Sequence, residues 1–180
     1  MTSCFAKMCK KVTFWSVVAT IFLLLACSQD QVTDRPPIEH SFPLSITQHE
    51  VNIPVKITEP GGYRIGLRVF YEKADGVERV RLHQLFDTSE RSESGEFLKS
   101  GIPVEVSVQV SRRGSEDAPV INKIVNRAEL YAYGENYFSL QLENMTLAAG
   151  DYLVKVKNQK IIQPLATSSV TLHLASNARK

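Results

Sequence analysis

Ile102-Pro103-Val104-Glu105-Val106-Ser107-Val108-Gln109-Val110 sets a branched aliphatic side chain on every second position. Successive side chains of a strand point to opposite faces, so this stretch has one greasy face and one wet face. The same period of two recurs on both sides of it. Upstream lie Val51, Ile53, Val55 and Ile57, and after the turn Glu59-Pro60-Gly61-Gly62 come Tyr63, Ile65, Leu67, Val69 and Tyr71. Downstream lie Phe138-Leu140-Leu142, Tyr152-Val154-Val156 and Val170-Leu172-Leu174. Turn-forming residues separate the runs at Asp75-Gly76, Arg113-Gly114 and Ala149-Gly150-Asp151, as chain reversal requires. About seven short alternating strands in one domain predict an all-β protein, an antiparallel β-sandwich over residues 42–176 with a short tail at 177–180. Pro54 and Pro103 cannot donate to a strand ladder, which assigns them to edge strands or strand starts.

Two segments depart from this period. Val77 to Phe86 has Leu82 and Phe86 four apart, which suits a short helix. Ala128 to Tyr133 reads as a helical turn stopped by Gly134. Between the helix and the central strand, Asp87 to Gly101 is a long polar loop.

The N-terminal 26 residues follow another logic. Lys7, Lys10 and Lys11 precede an apolar run from Val12 to Ala26. A charged start, a short apolar stretch and a small residue before the cut make an export signal. At 15 residues the run is short for a bilayer span, which wants about 20. Leu24-Leu25-Ala26-Cys27 resembles the lipobox of bacterial lipoproteins. That resemblance implies a signal peptide over 1–26 and fatty acylation of Cys27. Ser28, where an Asp would imply retention at the inner membrane, points to the periplasmic face of the outer membrane. Residues 27–41, polar and carrying Pro36-Pro37, read as the lipidated end and a flexible tether.

Composition narrows what the exported part can be. Its only cysteine is Cys27, since Cys4 and Cys9 lie in the signal, so no disulfide can staple the fold. A chain near 150 residues buries about 70% of its unfolded surface and can manage without one. The whole chain carries 21 Lys+Arg and 19 Asp+Glu. Removal of the three signal lysines leaves it close to neutral, without the clustered basic footprint of a nucleic-acid binder.

Several stretches carry a wider resemblance: Tyr63 to Phe70, Val80 to Leu85, Gly101 to Val104, Glu129 to Gly134 and Ala149 to Val156. In these the chain resembles small lipoproteins of Gram-negative bacteria known only as a domain of unknown function. The shared residues are those of strands and turns, so the resemblance implies a fold and brings no catalytic residue.

The chain carries no Gly-x-Ser-x-Gly elbow and no His-x-x-x-His pair. His40 falls in the tether and His49 just before a strand. His173 alternates with Leu172 and Leu174, and is expected on the outer, wet face. Asp87, Glu90, Glu93 and Glu96 recur every third residue but lack the alternate ligands and central Gly of a calcium loop. No metal or cofactor is expected. These four acids, and the outward Arg64 and Arg68, are the candidate contacts for a protein partner. If their strands were neighbours, Lys155 and Lys157 would extend the arginines into a basic patch. Tyr131, Tyr133 and Tyr137 gather around Gly134 and suit either an interface or the rim of a sandwich.

The expectation is thus a non-enzymatic protein-binding module, held to a membrane by lipid and making no contact with nucleic acid. Its concrete version is an immunity-type inhibitor of a toxin acting on the envelope. The alternative is a structural or assembly lipoprotein of a secretion or envelope complex, with an envelope hydrolase ranked third.

Overall fold

The computed structural model describes residues 34–86, 90–91, 97–99, 101–115 and 117–177. The segment read as a signal peptide, Cys27, Ser28 and most of the segment read as a tether lie outside this set.

The fold is all-β. Its strands are β1 (Ile38–Ser41), β2 (Glu50–Ile57), β3 (Gly61–Phe70), β4 (Glu90–Arg91), β5 (Phe97–Lys99), β6 (Ile102–Arg112), β7 (Ile121–Tyr133), β8 (Tyr137–Leu147), β9 (Gly150–Asn158) and β10 (Ser169–Ser176). One helix, α1 (Gly76–Phe86), and a 3-10 turn at Gln163–Leu165 complete it. Eight strands form one antiparallel sheet in the order β1-β10-β3-β8-β7-β6-β9-β2. This sheet folds over into two layers, and β7 is the strand at the bend. Its first part pairs with β6, up to Ala128 opposite Ile102. Its last part pairs with β8, from Glu129 opposite Gln141. At the far side the two outer strands approach each other. Asp34 N–H donates to Pro54 O at 3.1 Å and Lys56 N–H donates to Asp34 O at 2.9 Å. This single parallel bridge nearly closes the sheet on itself, which removes part of the exposed strand edge.

The core lies between the layers and follows the period of two. Val106, Val108 and Val110 of β6 are fully buried, as are Val156 of β9 and Leu67 and Val69 of β3. Each such side chain contributes roughly 1.5–3 kcal/mol by leaving water. Pro54 sits on the outer strand β2, facing the seam, where no ladder N–H is needed. Pro103 is the second residue of β6, beside an irregularity in its pairing with β7. Gly101 precedes it at φ +82°, and a Cβ there would lie 2.3 Å from Ala128 O, so only glycine fits.

Four expectations need correcting. The tether ends earlier than residue 41, because Ile38 is buried and pairs with Leu174, making Ile38–Ser41 the outer strand β1. The segment Ala128 to Tyr133 is the end of β7: three close aromatic and aliphatic residues suggest a helical turn, but strand pairing with β8 outweighs that local pattern. Gly61 and Gly62, read as a turn, already belong to β3 opposite Leu147 and Thr146. The polar loop after α1 contains a small ribbon, Glu90–Arg91 paired with Phe97–Lys99. The helix lies where its spacing placed it. Asp75 caps it, its carboxylate accepting the Glu78 N–H at 2.9 Å.

Candidate functional site

The outer face of β10, β3 and β8 carries a connected polar cluster. Its floor is made by the smallest side chains of the face. Gly66 of β3 sits directly opposite His173 of β10. On the other side of Gly66 the pairing with β8 slips: Ile65 faces Glu143 and Gly66 faces Gln141, leaving Leu142 as the extra residue of a bulge. Bulges redirect side chains and occur often beside functional sites. Ser139 of β8, buried despite pointing outward between Phe138 and Leu140, completes the floor.

Tyr131 lies on that floor. It starts from β7, at a second register irregularity between Leu130 and Ala132. To reach β10 it must cross β8 and β3. Its hydroxyl meets His173 Nε2 at 2.6 Å, and the two rings are tilted by 31° with centroids 6.1 Å apart. The Arg64 guanidinium covers the tyrosine ring at 4.1 Å and is steadied by Asn144, whose Oδ1 accepts from Arg64 Nε at 2.9 Å. One strand position pair further along, Arg68 repeats the arrangement. Its guanidinium lies 4.8 Å from the Tyr137 ring, and Nη1 donates to Glu39 Oε2 at 3.0 Å. Glu39 also accepts the Thr171 hydroxyl proton. Cation–π pairs of this kind contribute about 0.5–1 kcal/mol each at partly exposed sites.

His173 is the residue the sequence reading misplaced. The alternation correctly turns it away from the core, yet it is 2% exposed. Tyr131 and the arginines roof it over. Burial, and then the nearby Arg68 charge, push its pKa down to about 4; Glu39 works against them. The imidazole is therefore neutral near pH 7. A histidine titrating so low is a weak general base at that pH, and here it acts as a hydrogen-bonding element.

The remaining candidates are scattered. Arg64 and Arg68 meet in this cluster, whereas Lys155 and Lys157 belong to β9, in the other layer, between β6 and β2. The basic patch that would need β3 and β9 side by side does not form. Asp87, Glu93 and Glu96 lie outside the described residues, and Glu90 is placed only as part of β4 opposite Lys99. Among the described residues no three His, Cys, Asp or Glu side chains are grouped as a metal would require. His40 stands 3.4 Å from Asp34, and His49 packs edge-on against Phe42. No helix among the described residues is long and apolar enough to cross a membrane.

Sequence reasoning missed Glu39 and His173, and it could not foresee the reach of Tyr131. The one usable signal was a glycine, Gly66, between two arginines on an otherwise regular strand. Isolated glycines in strands mark bulges or close approach.

Two hollows flank this architecture. A larger apolar one of about 440 Å³ lies between the end of α1 and the start of β6, with Leu85, Ile102 and Ile162 among its walls. A smaller one of about 190 Å³ opens between β1 and β3, with His173 and Arg68 in its lining.

No curated protein matches the chain. Among solved structures it is similar to the crystal structure of GEBA250068378 from Sulfurospirillum deleyianum, with a TM-score of 0.60 at 13% identity, covering 80% of this chain and 99% of that one. At that identity the likeness concerns the fold alone. The family model of a domain of unknown function, DUF5625, matches residues 37–176. Its start at residue 37 lies one residue before β1, and its end at 176 is the end of β10. The chain belongs to the DUF5625 family.

Proposed function

We propose that this protein is a lipid-anchored, non-enzymatic binding module at the periplasmic face of the outer membrane, and that it grips a protein partner with the outer face of β10, β3 and β8 and the end of β7. The observation that carries the reading is the pair of arginine–tyrosine stacks, Arg64 on Tyr131 and Arg68 on Tyr137. Tyrosine and arginine are enriched at interface centres because they offer large contact area with few freely rotating bonds. Here the guanidinium groups are already held by Asn144 and Glu39, so little order is lost on docking. Tyr133, 71% exposed at the end of β7, lies on the other face, opposite Phe138 and edge-on to its ring, and is not part of this surface. The neutral, roofed His173 favours binding over proton transfer. The anchor rests on Leu24-Leu25-Ala26-Cys27 and the location on Ser28. The most concrete form of the function is an immunity-type inhibitor of an envelope-acting toxin, with the acidic strip from Asp87 to Glu96 as a second contact.

Affinity capture from the native envelope tests this. The full chain should retain a defined partner that Tyr137→Ala and Arg64→Ala release. Capture unchanged by both substitutions would move the binding surface elsewhere. Cys27→Ala should leave the membrane fraction, and continued membrane association of that variant would remove the anchor from the proposal.

A further inference from the structure

We propose that the outer face of β2, β9 and β6 is a second membrane contact, resting on the anionic head groups of a lipid surface through Lys155 and Lys157. This rests on the reading of Cys27 as the acylated end, and it names the face that the anchored domain turns to the bilayer.

The face follows from the period of two. Ile53, Val154, Val156, Val106 and Val108 are buried between the layers, so their strand neighbours Asn52, Lys155, Lys157, Ser107 and Gln109 point outward. The register sets them in rows. Asn52 faces Lys155, which faces Gln109. Glu50 faces Lys157, which faces Ser107, which faces Ile124 of β7. Lys155 thus stands between two amides with no acid in its row. The Glu50 carboxylate accepts from Asn52 Nδ2 at 2.8 Å, and neither lysine forms an ion pair with a described residue. Elsewhere on these strands the charges cancel: Lys56 faces Asp151, and Lys160 pairs with Glu105. Two ammonium groups against one carboxylate leave an excess of positive charge. Ile124, 56% exposed, adds an apolar side chain to the row of Lys157.

The length of the chain favours a lipid surface over other occupants of this face. Asp34, the first described residue, is bonded through its backbone to Pro54 and Lys56 on the outer edge of β2. β2 lies beside β9 in the same layer. Six residues, 28–33, separate Asp34 from Cys27, and fully extended that length reaches about 25 Å. A bilayer holding an acylated Cys27 is therefore within reach of the lysine rows. So short a link keeps the local concentration of head groups high, and a contact too weak to bind alone still forms. Charge agrees, because anionic lipid attracts lysines close to its surface. An exposed isoleucine beside them suits the boundary between head groups and acyl chains. The arginine–tyrosine stacks belong to the other layer, so the membrane contact leaves them open to a partner.

The test uses the protein extracted from its own membrane and reconstituted in three media: phosphatidylethanolamine vesicles containing phosphatidylglycerol, phosphatidylcholine vesicles, and detergent. A water-soluble acetylating reagent followed by mass spectrometry reads each lysine. In the anionic vesicles Lys155 and Lys157 should react at least about fivefold more slowly than in detergent. Lys73, beside Glu135 in the β7–β8 turn, should react equally in all three. Phosphatidylcholine, or high salt, should abolish the protection. Glu50→Gln removes the opposing charge and should raise the protection about twofold or more, a gain that misfolding cannot produce. No protection, equal protection in phosphatidylcholine, equal protection of Lys73, or an unimproved Glu50→Gln would each overturn the proposal. Protection in intact envelopes but in no vesicle would assign the face to a protein and overturn it too. The two readings fail separately. Acylated protein whose Lys155 and Lys157 stay reactive keeps the anchor and overturns the face. A Cys27 without fatty acid removes the anchor, while co-sedimentation of that protein with anionic vesicles, lost on Lys155→Gln with Lys157→Gln, would still support the face.

Discussion

Gly66 and His173 face each other across β3 and β10, and the imidazole fills the space that a side chain at position 66 would take. A Cβ on Gly66 would stand 2.6 Å from His173 Cε1 and 2.6 Å from the Leu140 carbonyl oxygen. The first atom can swing aside, but the second belongs to the backbone of β8. Gly66→Ala should therefore cost about 1–3 kcal/mol, as overpacking does. Removing the imidazole with His173→Ala in the same chain should recover only part of that loss, because the Leu140 clash persists. Urea midpoints of the single and double variants check both statements.

Stability should fall on mild acidification, and His173 should account for much of the fall. Its pKa is about 4 in the folded chain against an ordinary 6.5. The unfolded chain thus binds the proton first as pH drops below 6.5. Stability from the buried neutral ring is complete above that value and is lost as pH falls toward 4, in total about 3 kcal/mol. Denaturation curves between pH 7 and pH 4 should be flatter for His173→Gln than for the natural chain. Parallel curves would show that the ring is not buried in its neutral form.

Tyr131→Phe keeps the ring under Arg64 and deletes only the hydroxyl that meets His173 Nε2. A buried nitrogen left without its partner costs roughly 1–3 kcal/mol. A double-mutant cycle with His173→Gln should show coupling of about 0.5–3 kcal/mol. Additive losses would mean that the tyrosine and histidine do not hold each other.

Asn158 ties down the connection between β1 and β2. It is fully buried at the end of β9. Its Nδ2 donates to Ile46 O at 2.9 Å, its backbone N–H donates to His49 O at 2.9 Å, and its carbonyl accepts Gln48 N–H at 2.7 Å. Asn158→Ala strips the side-chain tie and opens a cavity, with an expected loss of about 1–3 kcal/mol. Hydrogen exchange should accelerate at Gln48, which the asparagine backbone holds through the same segment. Unchanged exchange there would show that the two backbone bonds suffice.

The strands of β2, β3, β6, β9 and β10 were legible because branched aliphatics repeat at the period of a half-buried sheet. The helix was legible from Leu82 and Phe86. The end of β7 was not, since its polar, aromatic and small residues at 129–133 break the period of two at the register irregularity between Leu130 and Ala132 and owe their conformation to hairpin pairing with β8. Of the site, only Arg64 and Arg68 could be read, as outward charges on a regular strand. His173 showed its outward orientation but not its burial, because the roof over it comes from Tyr131, with two strands in between. Strand order decides such encounters, and order is set by long-range pairing that no single segment carries. The same reason defeated the basic patch: Lys155 and Lys157 have the right period and the wrong layer.

The pairing of Ile38 with Leu174 has a consequence for the ends of the chain. The first and last strands of the domain run antiparallel side by side, so the polypeptide enters and leaves at one pole. A few added residues could splice the end at 177 to the start at 34, and new termini could be cut in the exposed reversal around Gly114 without unpicking a strand. A cargo fused behind residue 177 would emerge beside the entry point, leaving the far pole, where Tyr133 and Tyr137 sit, unobstructed.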